Sequence, residues 1–305
     1  MIDAYYWGKV NRISPEAPVP VVEVTHREER LGGAANVALN VKALGAEPII
    51  CCVVGEDDKG HAMEDLFDRH QFRKDGVVHS SERPTTVKTR IISGGQHILR
   101  VDEETTRELS GEEEQLFISR MRALFERETP DVIILEDYNK GVLTQGVIRY
   151  IIDEANKRNI PTTVDPKKEN FFSYEGCTLF KPNLKELREG TKIDFDKSDD
   201  EALIRAINAM EGKLGNRISL VTLSELGVLI KEQDSHIHIP AHRREILDVS
   251  GAGDTVISVA SLVLACGGTL EQIAQIANLA GGMVCEKTGV VPVDKEDLLQ
   301  EAERL

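Results

Sequence analysis

Short apolar runs rich in β-branched residues recur along the chain, and between most of them lie stretches whose apolar positions return every three or four residues. The runs Pro48–Val54, Val132–Leu135, Thr162–Val164, Leu179–Lys181, Ile218–Thr222 and Val228–Lys231 are predicted strands. The first five hold few charges, as strands covered on both faces do. Helices are predicted over Ala34–Ala43, Gly60–His70, Gly111–Glu128, Gln145–Arg158, Asp199–Leu214 and Thr255–Cys266. This order of strands and helices specifies an α/β fold with a mainly parallel sheet covered by helices. The acidic runs Glu112–Glu114 and Asp199–Glu201 read as solvated helix starts, where negative charge favours the helix dipole.

Two segments break the rhythm. Tyr5–Thr25 ends in an alternating stretch, and Thr85–Val101 reads as strands Thr86–Ile92 and His97–Val101 around a Ser93-Gly-Gly-Gln96 turn. Both suit antiparallel strands outside the main sheet, forming a small β lid within the first half of the fold. A parallel sheet of this kind ordinarily opens on an apolar strand, for which Met1-Ile2-Asp3 leaves no room. Either such a strand lies outside this sequence or the fold departs from the pattern, and the first is the expectation.

A chain of 305 residues with 41% hydrophobic content suffices for one large α/β domain, residues 1–305, with a small appendage. No apolar run approaches the roughly 18 residues of a membrane span, and no signal peptide opens the chain. The net charge of −15 argues against a nucleic-acid surface. The cysteines lie mostly in apolar or Gly-rich stretches without a Cys-x-x-Cys pair, so reduced thiols in a cytoplasmic protein are expected.

The richest chemistry lies in Asp248-Val-Ser-Gly-Ala-Gly-Asp-Thr255, which runs into an apolar helix. Glycines opening a helix leave backbone N–H groups free at the positive end of its dipole, a place for a phosphoryl group. Gly251 and Gly253 allow close approach, Ala252 lies between them, and Asp254 stands where it can take a proton from a hydroxyl. A bare Gly-x-Gly-Asp could equally be a turn with a capping Asp; the whole octapeptide favours the anion hole. Leu31-Gly-Gly-Ala-Ala-Asn-Val-Ala38 is a second glycine turn entering a helix, where Gly32, Gly33 and Asn36 could meet a polar ligand or serve close helix packing. In Lys181-Pro-Asn-Leu-Lys-Glu186, Asn183 and Glu186 have capping-box spacing, and could instead order a hydrated Mg²⁺ near a triphosphate. Asp165-Pro-Lys167 and Glu136-Asp-Tyr-Asn-Lys-Gly141 are charged clusters just past strand ends, where ligands of open parallel sheets gather.

Together these motifs resemble the ribokinase-like (PfkB) carbohydrate kinases over essentially the whole chain. The resemblance implies a three-layer α/β fold with a β-sheet lid, and in-line transfer from Mg-ATP to a small sugar. It implies that Asp254 is the catalytic base, that Gly251, Ala252 and Gly253 form the anion hole, and that Asn183 and Glu186 order magnesium and phosphate. Thr222, Ser224, Glu225 and Gly227 fall where the family contacts ATP, and Asn278 near its adenine pocket. Asp248 and Ser250 resemble a loop that holds a monovalent cation such as K⁺. A narrower resemblance, to the D-glycero-β-D-manno-heptose 7-phosphate kinases of lipopolysaccharide biosynthesis, is carried by Met1–Gly8, Arg12–Pro20 and Gly95–Asp102. It implies sugar contacts from Asp3 and Asn36, and a kinase that either stands alone or is part of a longer chain with a nucleotidyltransferase. Relatives also imply a homodimer formed through the lid.

Lys88, Arg90, Arg100, Lys140 and Lys167 are available to a sugar's phosphate, Arg100 and Lys140 above all, though each alone reads as surface charge. A kinase for another sugar or a nucleoside, and a degenerate, non-catalytic nucleotide-binding module, remain alternatives. A Rossmann dehydrogenase is disfavoured, because no Gly-x-Gly-x-x-Gly turn lies near the N-terminus.

Overall fold

The computed structural model describes residues 1–196 and 199–305. The first part of the chain runs β1 (Ile2–Ile13), β2 (Pro20–Leu31), α1 (Ala34–Ala43), β3 (Ile49–Gly55), α2 (Asp58–Arg69), β4 (Arg73–Ser80), β5 (Val87–Ser93) and β6 (Gln96–Glu103). There follow α3 (Gly111–Arg127), β7 (Ile133–Glu136), α4 (Gln145–Lys157), β8 (Thr162–Asp165), β9 (Leu179–Phe180), α5 (Leu184–Thr191) and α6 (Asp200–Leu214). The last part holds β10 (Ile218–Thr222), β11 (Val228–Glu232), β12 (Ser235–Ile239), α7 (Ala252–Ala265), α8 (Leu270–Val284) and α9 (Lys295–Ala302).

The main sheet has the order β12-β11-β10-β9-β8-β7, parallel from β7 to β10 and antiparallel beyond. Its residues alternate between two cores. Phe180, Val221 and Leu229 face α3, α4 and α6, whereas Leu179, Leu220, Val228 and Ile230 face α1, α7 and α8. Side chains of a strand point to opposite faces in turn, so a sheet buried on both sides needs apolar residues at nearly every position. The result is the predicted three-layer arrangement.

β3 and β4 pair in parallel as a separate two-stranded sheet, and β2-β1-β5-β6 form the lid. The lid begins earlier and runs longer than the sequence indicated: β1 starts at Ile2, and β2 continues to Leu31. Its central pair, β1 with β5, is parallel; only the outer pairs are antiparallel. The charges of His26–Arg30 conceal the end of β2 in the sequence, because its polar side chains are tolerated on a sheet with an open face. No helix among the described residues is long and apolar enough to cross a membrane.

Candidate active site

The parallel strands end together on Glu136, Asp165, the residues after Phe180, and Thr222, and the loops beyond them carry the site. Helix α7 starts over these ends. Its N-cap Gly251 has φ 83°, a conformation that disfavours other residues, and no side chain among the described residues caps the helix. Its first turn is thereby left open to an anion.

Asp254, in that first turn, is 7% exposed. Asn36 Nδ2 donates to its Oδ2 at 2.7 Å and the Tyr138 hydroxyl to its Oδ1 at 2.8 Å. Burial pushes the carboxyl up to about 6, against the pull of these two donors, with nearby Asp165 raising it further and Lys181 lowering it. A base poised near neutrality suits proton abstraction from a hydroxyl. Burial, with the charges of Asp254 and Glu136, holds the Tyr138 phenol well above its ordinary value, so it remains a donor.

Behind the helix mouth, buried Lys181 pairs with buried Asp165 at 2.8 Å. A Cβ on Gly253 would lie 3.7 Å from both Lys181 Nζ and Asp165 Oδ2, so the open space over this glycine faces a fixed cation. Lys167 links Asp165 (3.3 Å) to Glu186 (3.0 Å). Burial works against the Lys167 ammonium, but Asp165 and Glu186 raise its pKa above the ordinary value. Asn183 and Glu186 form a true capping box: Asn183 Oδ1 accepts from Glu186 N and Glu186 Oε2 from Asn183 N, both at 2.9 Å. Glu136, Asp165 and Asp254 bring carboxylate oxygens within 4.8 Å of one another. Burial and these neighbours push the Glu136 carboxyl well above the usual range. Oxygen donors beside two lysines are a fitting set for Mg²⁺, which takes few protein ligands and keeps several waters.

The predicted sugar side lies between the lid and α1. Buried Asp3, on β1, is ion-paired with Arg90 on β5. Gly32 packs so tightly on Asp3 that a Cβ there would collide with its carboxylate, and Gly33, with φ 60°, lies against Met1 and Tyr138. Asn36, one turn further, joins this group to Asp254. Lys88 and Lys140 both bind Glu104 at 2.8 Å, a shared carboxylate between lid and body. Arg100 stands more exposed on β6 and pairs at 3.0 Å with Asp102, which also binds Lys88 at 3.1 Å.

On the predicted nucleotide side, Thr222 bridges to Asn183, and Ser224 and Glu225 are exposed in the turn that follows. Gly227 is buried, and a side chain there would strike the Ile239 carbonyl, which gives this glycine a packing role. Asn278 spends its amide on the Pro240 carbonyl at 2.9 Å, fixing the strand-to-loop exit after β12. Asp248 accepts from Ser250 N and Gly289 N, each at 2.9 Å. Burial opposes its charge, yet these bonds hold its carboxyl below the ordinary value and tie the glycine loop to residues 285–290. Tyr138 and Lys181 received no specific role from the sequence, and Arg90 only one toward a sugar's phosphate. Charged or phenolic residues at strand ends were the available signal, and their partners lie far along the chain.

A parallel sheet with a buried carboxylate at a glycine-opened helix, under a β lid, is the architecture of a sugar kinase. The chain matches the pfkB family carbohydrate kinases over residues 2–296 and belongs to that family. It is 42% identical over 299 residues to bifunctional protein HldE of Koribacter versatilis, covering 98% of this chain and 60% of that protein. It is likewise 42% identical over 302 residues to bifunctional protein HldE of Caulobacter vibrioides, covering 98% and 61%. The chain thus spans about 60% of the length of these curated relatives. Among solved structures, phosphofructokinase-2 from Escherichia coli in complex with potassium shares the fold at TM-score 0.81 and 18% identity, covering 99% of this chain and 95% of that one. Arabidopsis thaliana ribokinase complexed with ribose and ATP does so at TM-score 0.72 and 18% identity, covering 99% and 96%.

Proposed function

We propose that this chain transfers the γ-phosphoryl group of ATP to the C1 hydroxyl of D-glycero-β-D-manno-heptose 7-phosphate, giving the 1,7-bisphosphate. The observation that carries the chemistry is buried Asp254, held by Asn36 and Tyr138 at the open start of α7. The C1 oxygen bonds to γ-phosphorus as the bond to the ADP oxygen breaks, and Asp254 takes the hydroxyl proton. Charge gathering on the phosphoryl oxygens meets the N–H groups at Gly251–Gly253 and the Lys181 ammonium. Magnesium, held through water by Glu186 near Asp165, would neutralise the phosphates. Asp248 and Ser250 are the proposed edge of a monovalent-cation loop, a reading supported by the potassium complex of the phosphofructokinase-2 relative.

The heptose 7-phosphate assignment draws on the resemblance at Met1–Gly8, Arg12–Pro20 and Gly95–Asp102, and on the bifunctional relatives, whose length leaves room for a second activity. Lys88 and Lys140, shared by Glu104, are the proposed cationic pair for the 7-phosphate. The proposed enzyme works in the cytoplasm.

Steady-state kinetics with ATP and heptose 7-phosphate, phosphate-free heptose, ribose and adenosine test the assignment, with phosphorus NMR locating the transferred phosphate. Losing the 7-phosphate removes charge-assisted bonds, about 2–3 kcal/mol or roughly 30- to 150-fold in kcat/KM. Equal use of an unphosphorylated sugar would leave a carbohydrate kinase and remove the heptose 7-phosphate assignment.

A further inference from the structure

Asp137, the first residue past β7, is a buried acidic residue that the proposed chemistry leaves unused. Its backbone N–H bonds the Asp165 carbonyl at 3.1 Å and carries the β7–β8 ladder one step beyond Glu136. Its side chain is held from several sides. Oδ2 accepts from the Tyr174 hydroxyl at 2.8 Å and from Asn170 Nδ2 at 3.2 Å, and Oδ1 from Asn139 N at 2.7 Å. Tyr174 is fully buried in the core that faces α3, α4 and α6. Burial and the Asp137 charge hold its phenol well above the ordinary value, so it stays a donor. Asn170 also donates to the Leu143 carbonyl at 2.9 Å. Burying a carboxylate is costly unless it is well bonded, and apolar residues of similar volume often fill such a space as favourably. The use of this group lies in what it holds in place.

It holds the loop 137–141. Asn139 has φ 53° and Gly141 φ 71°, two left-handed residues in a short turn. The first is held by the Asp137 side chain two residues back, a bond that favours such turns. At Gly141 a side chain would strike the Arg107 carbonyl. Arg83 fixes the far end, its Nη2 donating to the Lys140 carbonyl at 2.6 Å and to the Arg107 carbonyl at 2.9 Å. Leu109 N adds a bond to the Gly141 carbonyl at 2.9 Å. From this fixed loop two side chains leave for different destinations. Tyr138 reaches Asp254 at 2.8 Å. Lys140 reaches Glu104 at 2.8 Å, and Glu104 also holds Lys88 of the lid strand β5. Lys167, from the same segment as Asn170 and Tyr174, stands 5.8 Å from the centre of the Tyr138 ring.

We infer that Asp137, held by Tyr174 and Asn170, is a positioning residue: it fixes one loop so that Tyr138 meets the base and Lys140 meets the lid in a single geometry. The inference rests on the phosphoryl transfer proposed above. Asp137 acts through the loop, since the bond to the base belongs to Tyr138 and the strap to the lid belongs to Lys140. Misplacing a group by about 1 Å can cost ~100-fold in rate, and loosening the anchor frees both side chains at once. The two consequences separate in kinetics. A displaced Tyr138 leaves the base poorly oriented and lowers kcat. A displaced Lys140 weakens capture of the sugar's phosphate and raises the sugar's KM. The predicted nucleotide residues Thr222–Gly227 belong to another loop, so KM for ATP should stay near the parent's.

Tyr174→Phe tests this, because it deletes one oxygen and leaves the ring in its core. Amide exchange at Asn139, which is bonded to Asp137, should quicken at least ~tenfold while β8 amides keep their rates. With sugar and ATP saturating, kcat should fall about tenfold, and the sugar's KM should rise. In a Tyr138→Phe background the same substitution should leave kcat where Tyr138→Phe alone sets it. In a Lys140→Met background it should leave the sugar's KM unmoved. A residue that only supports folding would instead lower kcat by the same factor in every background. That result, or unchanged exchange at Asn139, would overturn the inference. Should Tyr174→Phe fail to fold, Asn170→Ala removes the other donor and serves the same comparisons. If the chain phosphorylates a different sugar, the kcat comparison is made with that sugar. A chain that turns over none loses the proposed function, and exchange at Asn139 then decides the anchor alone.

Discussion

Asp254 is a carboxylate with two donors of different character, an amide from α1 and a phenol from the loop after β7. Each favours the charged form, while burial opposes it and sets the group at about 6. A base must be deprotonated to act, so kcat/KM should fall about tenfold per pH unit below about 6. Tyr138→Phe removes a stabiliser of the carboxylate; its pKa rises, and the acid limb should move upward by roughly one pH unit. Profiles of the two proteins with the same substrates cancel the substrates' own titration, and a limb that stays in place or moves down would refute the role given to Tyr138. Gly253 allows a second test. A Cβ there meets nothing nearer than 3.7 Å and the backbone is not left-handed, so Gly253→Val should melt like the parent. Its methyl groups would fill the space facing Lys181, and turnover should drop at least ~100-fold. Normal turnover would mean that phosphate does not pass over this residue. The glycines and Asp254 were legible because one short segment carries them all. Tyr138 was not, because its partner lies 116 residues away and no spacing rule joins them.

Secondary structure was read well where burial is two-sided. β10 matches its predicted range residue for residue, as does α1. β4 was missed because it opens Arg73-Lys-Asp-Gly76, and β12 because its sequence, Ser-His-Ile-His-Ile, is half polar on an edge with little to cover. α8 was missed for the opposite reason: its small and apolar residues, buried nearly all round, lack a polar face to mark the period. The close fit of α8 against α7 has a measurable consequence. A Cβ on Gly281 would lie 2.6 Å from Val256 Cγ2. Gly281→Ala should therefore destabilise the parent by overpacking, about 1 kcal/mol net after the gain in helix propensity. In a Val256→Ala background the same change should stabilise, since the clash is gone and the propensity remains. Urea midpoints of the four proteins decide; an effect of one sign in both backgrounds would show that the contact does not limit the approach of the helices.

Across the whole molecule, the lid leaves apolar side chains in water. Ile13 is 60% and Leu99 55% exposed, with Val10, Val24, Ile98 and Val101 also uncovered. A patch of this kind on a sheet calls for a partner surface, and two lids related by a two-fold axis supply one without a second protein. Sedimentation at micromolar concentration should show a dimer, and Leu99→Arg with Ile13→Arg should shift it to monomer. A parent that sediments only as monomer would rule out the lid pairing.

Glu186 caps α5 with one oxygen and holds Lys167 with the other. A residue with two duties constrains inheritance. A lineage that abandons Glu186 for an aliphatic residue loses the helix cap, about 1 kcal/mol, together with whatever the second oxygen does for phosphate. Glutamine, one base change away, preserves the capping geometry while removing the charge. Natural or laboratory drift toward a different cation should therefore pass through glutamine at this position, with the helix cap kept and the bond from Lys167 surrendered together with the charge.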